Sequence, residues 1–347
     1  MEIELKFQLP ESKKKSVLHT LNKHKAQKIH LQAKYYDTPD RLLAKNYVAI
    51  RLRQEGDGWV QTFKAASKNH LQRIEEDIVL GKCEQEPELD LSHYQHNQTV
   101  QNVLRNILGN EAADLQLQFQ TDVQRTYHVF EFNHSQVEVC LDDGEIRTGK
   151  DQAKICEVEF ELKQGSAQDL IEFAQTWVDK YQLWLDVRSK AERGNLLAQK
   201  LQVSPATTAS PVKYDKKAQP DLILKQLIAA ALRHALPNFA AIADQIAEPA
   251  HYYQAYLALR QLASSLQLFQ DFAPAALIQH VAQLQHLLKT THQAYLATTL
   301  YPAILLHAEH AETADLELHH ANHVFTQTGC TLLILELLAF SLNDADA

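Results

Sequence analysis

Two short stretches place carboxylates where a strand would present them side by side. In MEIELKFQLP, Glu2, Glu4, Lys6 and Gln8 fall on one face of a strand, and Ile3, Leu5, Phe7 and Leu9 fall on the other. In CEVEFELK, Glu157, Glu159, Glu161 and Lys163 share a face opposite Val158, Phe160 and Leu162. Three carboxylates in a row repel one another unless water or a cation neutralises them. Each stretch is therefore a solvated outer face or one wall of a charged cavity. The opposite charge recurs in the same pattern. YVAIRLRQEG sets Arg51 and Arg53 on one face, WVQTFKA adds Lys64, and LQRIEEDIVL aligns Arg73 with Glu75 and Asp77. VQRTYHVF contributes Arg125, VEVCLDDG contributes Glu138 and Asp142, and VRSKAERG contributes Arg188, Lys190 and Arg193. Turned inward and unpartnered, such charges would cost several kcal/mol each, so the cavity must hold something polar. Carboxylates with no Cys or His among them suit hard divalent cations such as Mg²⁺ or Mn²⁺. Clustered Arg and Lys suit phosphate oxygens. Together they describe a site for a metal–polyphosphate complex, and neither G-x-x-x-x-G-K-[ST] nor G-x-G-x-x-G is present to supply a backbone cradle instead.

The elements that must carry these residues follow from periodicity. Period-2 runs predict strands near 2–9, 29–37, 47–54, 59–65, 72–80, 115–121, 124–132, 136–143 and 153–163. The turn sequences EGDG (55–58), NHSQ (133–136) and DDGE (142–145) suit antiparallel hairpins. Helices are expected over 12–25, near 98–109, and after Ser166, a fitting N-cap. So many antiparallel strands favour closure, which removes the edges. The expected fold class is α+β, an eight-stranded antiparallel barrel with flanking helices followed by a small all-α bundle. A chain of 347 residues favours two domains. We place them at 1–202 and 221–347, joined by the Pro-, Ser- and Thr-containing linker 203–220.

Charge divides along the same boundary. Residues 1–220 hold 30 Lys+Arg against 32 Asp+Glu, whereas 221–347 hold 4 against 11, together with 10 of the 18 histidines. The net charge of −9 argues against nucleic acid as a partner. CTLLILELLAFSL from Cys330 is too short to span a bilayer and contains Glu336, so it is expected to be a buried helix and no membrane association is expected. The four cysteines form no C-x-x-C and are expected to be reduced, buried thiols. With an acidic start in place of a basic n-region, this points to the cytoplasm.

Taken in order, E-x-E-x-K (Glu2, Glu4, Lys6), YYDT (35–38), the A-I-R-L-R strand, T-F-K, R-x-E, D-x-G (Asp142, Gly144), E-V-E-F-E-L-K and S-K-x-E-R-G resemble the CYTH superfamily of triphosphate tunnel metalloenzymes. The similarity runs through about residues 1–200 and is strongest toward bacterial inorganic triphosphatases, in which a CYTH domain precedes a CHAD domain. The resemblance implies hydrolysis of inorganic triphosphate with two Mg²⁺ or Mn²⁺ ions. It implies Glu2, Glu4, Glu159 and Glu161 as leading metal ligands, Glu2 and Glu4 thereby acting in catalysis, with Asp142 and Glu157 in support. Lys6, Arg51, Arg53, Arg73, Arg125 and Lys190 would hold the substrate, and Lys64 matches a lysine proposed to protonate the leaving phosphate. Thiamine triphosphatase, adenylate cyclase and a non-catalytic polyphosphate-binding module are the alternatives.

In the C-terminal part, YQAYLALRQLASSLQLF matches the apolar positions of a CHAD first helix, but Tyr253, Tyr256, Gln261 and Ala263 occupy its His and Arg slots, leaving Arg260. A packing role, or a homodimer through these helices, is therefore expected. His307, His310, His319, His320 and His323 are read as a solvated face, with a transition-metal site as the alternative.

Overall fold

The computed structural model describes residues 2–66, 71–109, 114–212, 217–300 and 323–342. Nine strands form one sheet: β1 (Glu2–Gln8), β2 (Gln27–Asp37), β3 (Val48–Glu55), β4 (Gly58–Ala66), β5 (Gln72–Gly81), β6 (Gln116–Phe132), β7 (Ser135–Thr148), β8 (Asp151–Gln164) and β9 (Trp184–Leu185). The order β5-β4-β3-β2-β6-β7-β8-β1 closes on itself where β1 pairs with β5, Glu2 opposite Arg73 and Ile3 opposite Gln72. Eight antiparallel strands thus make a closed barrel, and β9 adds to β1 outside the ring.

The alternation is inverted relative to a filled barrel. Leu5 and Phe7 of β1, with Leu9 just beyond it, face outward and are buried beneath helix α4 (Ala167–Tyr181). Phe7 meets the Phe160 ring edge-on at 5.5 Å, and Trp177 closes on Phe160 at 5.6 Å. Helix α4 starts as expected, the Ser166 hydroxyl accepting from the Asp169 N–H at 3.1 Å. Its Leu170, Ile171, Ala174, Trp177, Val178 and Tyr181 repeat at helical spacing and form the buried stripe. With apolar faces spent on the outside, the charged faces can only turn into the barrel.

Further helices are α1 (Glu11–Lys23), α2 (Leu42–Lys45), α3 (Gln98–Leu108), α5 (Lys190–Ala198), α6 (Pro220–Ala243), α7 (Pro249–Leu268), α8 (Ala275–Leu300) and α9 (Thr328–Ser341). The apolar core outside β1 and β8 runs on without a break through α4 into α6–α9. The stretch 203–212 holds no helix or strand but is pinned on both sides. Asn238 bonds both the N–H and the carbonyl of Thr207, at 3.1 and 3.0 Å. Ser204 donates to Glu192 at 2.7 Å, and its carbonyl lies 3.0 Å from His251 Nε2. Helix α9 buries the run from Cys330 as expected, with Glu336 on the exposed side. No helix among the described residues is long and apolar enough to cross a membrane. His307, His310, His319 and His320 lie outside the described residues.

Several local expectations were wrong for identifiable reasons. Runs 115–121 and 124–132 are one continuous strand, because Asp122 is not a breaker: it accepts from Gln32 Nε2 at 3.2 Å and pairs with His30 at 2.6 Å on the outer face. DDGE is not a turn but the middle of β7, and the chain reverses later, where Gly149 takes φ +54°. Cys83 is exposed, whereas Cys140, Cys156 and Cys330 are buried free thiols. Gly144 is required by close approach. A Cβ there would lie 2.1 Å from the Asp122 carbonyl oxygen and 2.8 Å from Val123 Cα, both backbone atoms of the paired strand. Gly144→Ala is therefore expected to lower unfolding free energy by about 1–3 kcal/mol, read as a fall in urea midpoint at constant m-value.

Candidate active site

Strand register lines the inward side chains up in rungs. Glu4, Glu161 and Glu138 lie opposite one another across β1, β8 and β7. The next rung is Lys6, Glu159 and Cys140, and the one beyond it is Gln8, Glu157, Asp142 and Arg125. Around the rest of the ring, Glu2 faces Arg73, Lys64 faces Glu75, and Tyr35, Arg51, Thr62 and Asp77 form a further rung. A rung of three facing carboxylates is unfavourable unless cations compensate it. Here Arg73 holds Glu4 at 2.9 Å, and Lys163 holds Glu161 at 2.8 Å and Glu138 at 3.4 Å.

The carboxylates separate into two sets. Asp142, Glu157 and Glu159 converge, each with an oxygen within 4.8 Å of the others. Arg125 forks onto Asp142 with two bonds of 2.7 Å and reaches Glu159 at 2.5 Å. The Lys190 ammonium touches all three acids, 2.8 Å from Asp142 and from Glu159 and in direct contact with Glu157, which Arg193 also holds at 3.1 Å. Burial works to raise the Glu159 carboxyl, yet Lys190 and Arg125 outweigh it and hold it well below the usual range. Asp142 is lowered by the same opposition, burial against Arg125 and Lys190. Glu2, Glu4 and Glu161 sit toward the other end. Burial raises the Glu2 and Glu161 carboxyls there. An all-oxygen donor set of this kind fits a hard divalent cation, and the wall it stands on has one soft neighbour, Cys140.

A cationic side faces these acids. Arg51 is half-buried with its terminal nitrogen 3.2 Å from the Tyr35 hydroxyl, and its shielded Nε finds no hydrogen-bond partner among the described residues. Arg53 is held by Glu55 at 2.6 Å. Burial, then the neighbouring Arg51, lowers the Arg53 pKa. Lys64 sits between Glu2 at 2.8 Å and Glu75 at 3.0 Å. Burial pushes its pKa down, but Glu4 and Glu2 prevail and raise it. Lys6 donates to the Arg188 carbonyl, and burial lowers its pKa despite Glu157 and Asp186 nearby.

Every residue expected in the site thus lies on the inner wall or at its α5 end. Lys190 owes its place to α5, which was not anticipated as a helix. The Ser189 hydroxyl caps it by accepting from Glu192 N–H at 3.1 Å, and the helix packs over Phe119 with Gly194, where a Cβ would lie 2.2 Å from the ring. Glu75 and Glu138 also belong to the charged wall and were legible in the same alternation. Asp186, fully buried between Gln8 and Arg188, had no periodic signal because β9 is two residues long.

A closed barrel whose inner wall opposes rows of carboxylates to rows of Arg and Lys is a tunnel built for anions together with cations. The chain belongs to the CYTH family, whose domain model matches residues 1–194. It is 34% identical over 177 residues to an inorganic triphosphatase of Haemophilus influenzae, a match covering 50% of this chain and 47% of that protein. The chain therefore spans about half the length of the curated relative it matches. Among solved structures, the Bacillus halodurans protein bh2851 is similar at 19% identity over 56% of this chain and 96% of that one, with a TM-score of 0.42. The inorganic triphosphatase NE1496 is similar at 14% identity over 50% and 79%, with a TM-score of 0.20.

Proposed function

We propose that this chain is a metal-dependent inorganic triphosphatase, hydrolysing tripolyphosphate to pyrophosphate and phosphate inside the barrel. The observation that carries the reading is the pairing of two features in one tunnel. Converging acids Asp142, Glu157 and Glu159 and the Glu4–Glu161–Glu138 rung share the barrel with Arg51, whose shielded Nε has no hydrogen-bond partner among the described residues. Polyphosphate binding alone would be served by the cations and opposed by the acids. The relative from Haemophilus influenzae supports the substrate, at 34% identity over 50% of this chain.

In this reading Glu2, Glu4, Glu159 and Glu161, with Asp142 and Glu157, would hold Mg²⁺ or Mn²⁺, which would supply charge neutralisation and a more acidic attacking water. Arg51, Arg53, Arg73, Arg125, Lys6 and Lys190 bind the phosphate oxygens and stabilise charge as the P–O bond to the bridging oxygen breaks. The new phosphate keeps the water oxygen, and the departing pyrophosphate takes a proton. Lys64 would give that proton, or would hold the phosphate as a clamp. We further propose the division 1–202, 203–220 and 221–347, with the helical part packing on the barrel.

The test offers the full chain, with Mg²⁺ or Mn²⁺, tripolyphosphate, thiamine triphosphate, ATP and long polyphosphate, and follows phosphate, pyrophosphate and cyclic AMP. Fastest release from tripolyphosphate, abolished by a chelator and restored by the ion, is expected. Cyclic AMP from ATP, a preference for thiamine triphosphate, or binding without turnover would each replace the reading.

A further inference from the structure

The charged wall does not end at the barrel. Lys6 is held at both ends by one short segment: its carbonyl accepts from the Asp186 N–H at 3.0 Å, and its ammonium donates to the Arg188 carbonyl. That segment is itself locked. Asp186 accepts from the Arg188 backbone N–H and Nε at 2.9 Å each, from Arg188 Nη2 at 2.8 Å, and from Gln8 Nε2 at 2.9 Å. Asp186 and Arg188 are 0% and 4% exposed.

One partner comes from outside the barrel. Arg188 Nη2 also donates to Asp244 Oδ2 at 2.9 Å, and Asp244 is the residue that ends α6. A guanidinium is a rigid planar fork, so fixing the same Nη2 from two sides fixes the plane of the whole group. The same junction holds a small cavity lined by Glu4, Lys6, Arg73 and Asp186 from the barrel side and by Leu236 of α6 and Leu338 of α9 from the helical side. Helix and tunnel are therefore in contact at the residues that would grip phosphate.

We propose that Asp244 is a positioning residue for the tunnel: through Arg188 it fixes the carbonyl that aims the Lys6 ammonium, so the helical part sets the grip on triphosphate. The functional half of this statement rests on the triphosphatase reading; the link from Asp244 to Lys6 does not. Asp244 is 45% exposed and Arg188 keeps Asp186 without it, so the loss is a loosening and not a collapse. Removing a charged hydrogen bond at a half-exposed position is worth about three- to tenfold in tripolyphosphate affinity.

The experiment uses the full chain labelled with ¹³Cε-lysine, the Lys6 signal being assigned by its loss in Lys6→Met. Asp244→Ala is expected to move that signal and to weaken calorimetric binding of tripolyphosphate, with the unfolding midpoint unchanged. Asp244→Glu is expected to restore both. In the Lys6→Met background Asp244→Ala should add nothing further. An unmoved Lys6 signal in Asp244→Ala overturns the proposal, as does an equal loss of affinity with and without Lys6. A lowered midpoint that Asp244→Glu fails to restore also overturns it, by reducing Asp244 to a structural role. If the Lys6 signal moves while the wild-type chain neither binds nor hydrolyses tripolyphosphate, the link stands and the triphosphatase reading falls.

Discussion

Glu159→Gln is expected to cut metal-dependent release of phosphate from tripolyphosphate by roughly a hundred- to a thousandfold while leaving the barrel folded. Glu159 is the acid on which the rungs converge. It lies opposite Lys6 on β1 and Cys140 on β7, and it shares Arg125 and Lys190 with Asp142. Its carboxyl stays ionised because Lys190 and Arg125 overcome the burial penalty, so the substitution removes a full negative charge at neutral pH. Stability should survive for the same reason. Arg125 retains its two bonds to Asp142, and Lys190 retains Asp142 and Glu157, so no cation is left buried alone. Glu4→Gln and Glu161→Gln, on the neighbouring rung, are expected to behave alike. Steady-state phosphate release at saturating Mg²⁺, beside a thermal melt, checks the claim. Near-wild-type turnover in all three variants would remove these acids from the reaction.

Asp186→Ala should instead be a folding variant, losing about 3–5 kcal/mol, the cost of leaving a buried charge without its partner. Four hydrogen bonds end on this carboxylate, and Arg188 would retain only the half-exposed Asp244. Burial acts to raise the Asp186 pKa, but Arg188, by charge and by hydrogen bonding, pulls it down to about 2. Because the folded value lies below the unfolded one of about 3.9, this carboxylate stabilises the fold above that pH. The contribution, on the order of 2 kcal/mol, is lost as pH falls toward 2. Urea titrations at pH 7 and stepwise below pH 4 test both statements. The wild type should lose stability in that window, and Asp186→Asn, weaker at pH 7, should converge on it. A constant gap between the two down to pH 2 would show that Asp186 is not the titrating group.

Much of the barrel was legible because its signal is local. Charged residues recur at every second position in Glu2, Glu4 and Lys6 of β1 and in Glu157, Glu159, Glu161 and Lys163 of β8, and a period of two puts them on one face whatever the strand pairs with. Ser166 marked the start of α4 for an equally local reason. Misreadings arose where a local signal had a distant partner. DDGE carries turn residues, yet Asp142 is wanted at the end of Arg125's fork and Gly144 is wanted for the approach of Asp122. Helix α5 is short and weakly amphipathic, and what holds it is contact with Phe119 and the Lys190–carboxylate cluster.

The sequence by itself determined which side chains share a face, which charges those faces carry, and the chemistry such charges suit, since residue type and strand period need no partner to be defined. Tertiary structure alone decided that the faces turn inward, through an outer apolar surface buried under α4 and a ring closed between β1 and β5. It also decided which acids meet. Asp142, Glu157 and Glu159 converge across two strands, and Asp186, Arg188 and Asp244 join the barrel to the helices from positions no periodicity connects. Electrostatic interaction depends on distance in space, and residues 6, 188 and 244 acquire that distance only when the chain has folded.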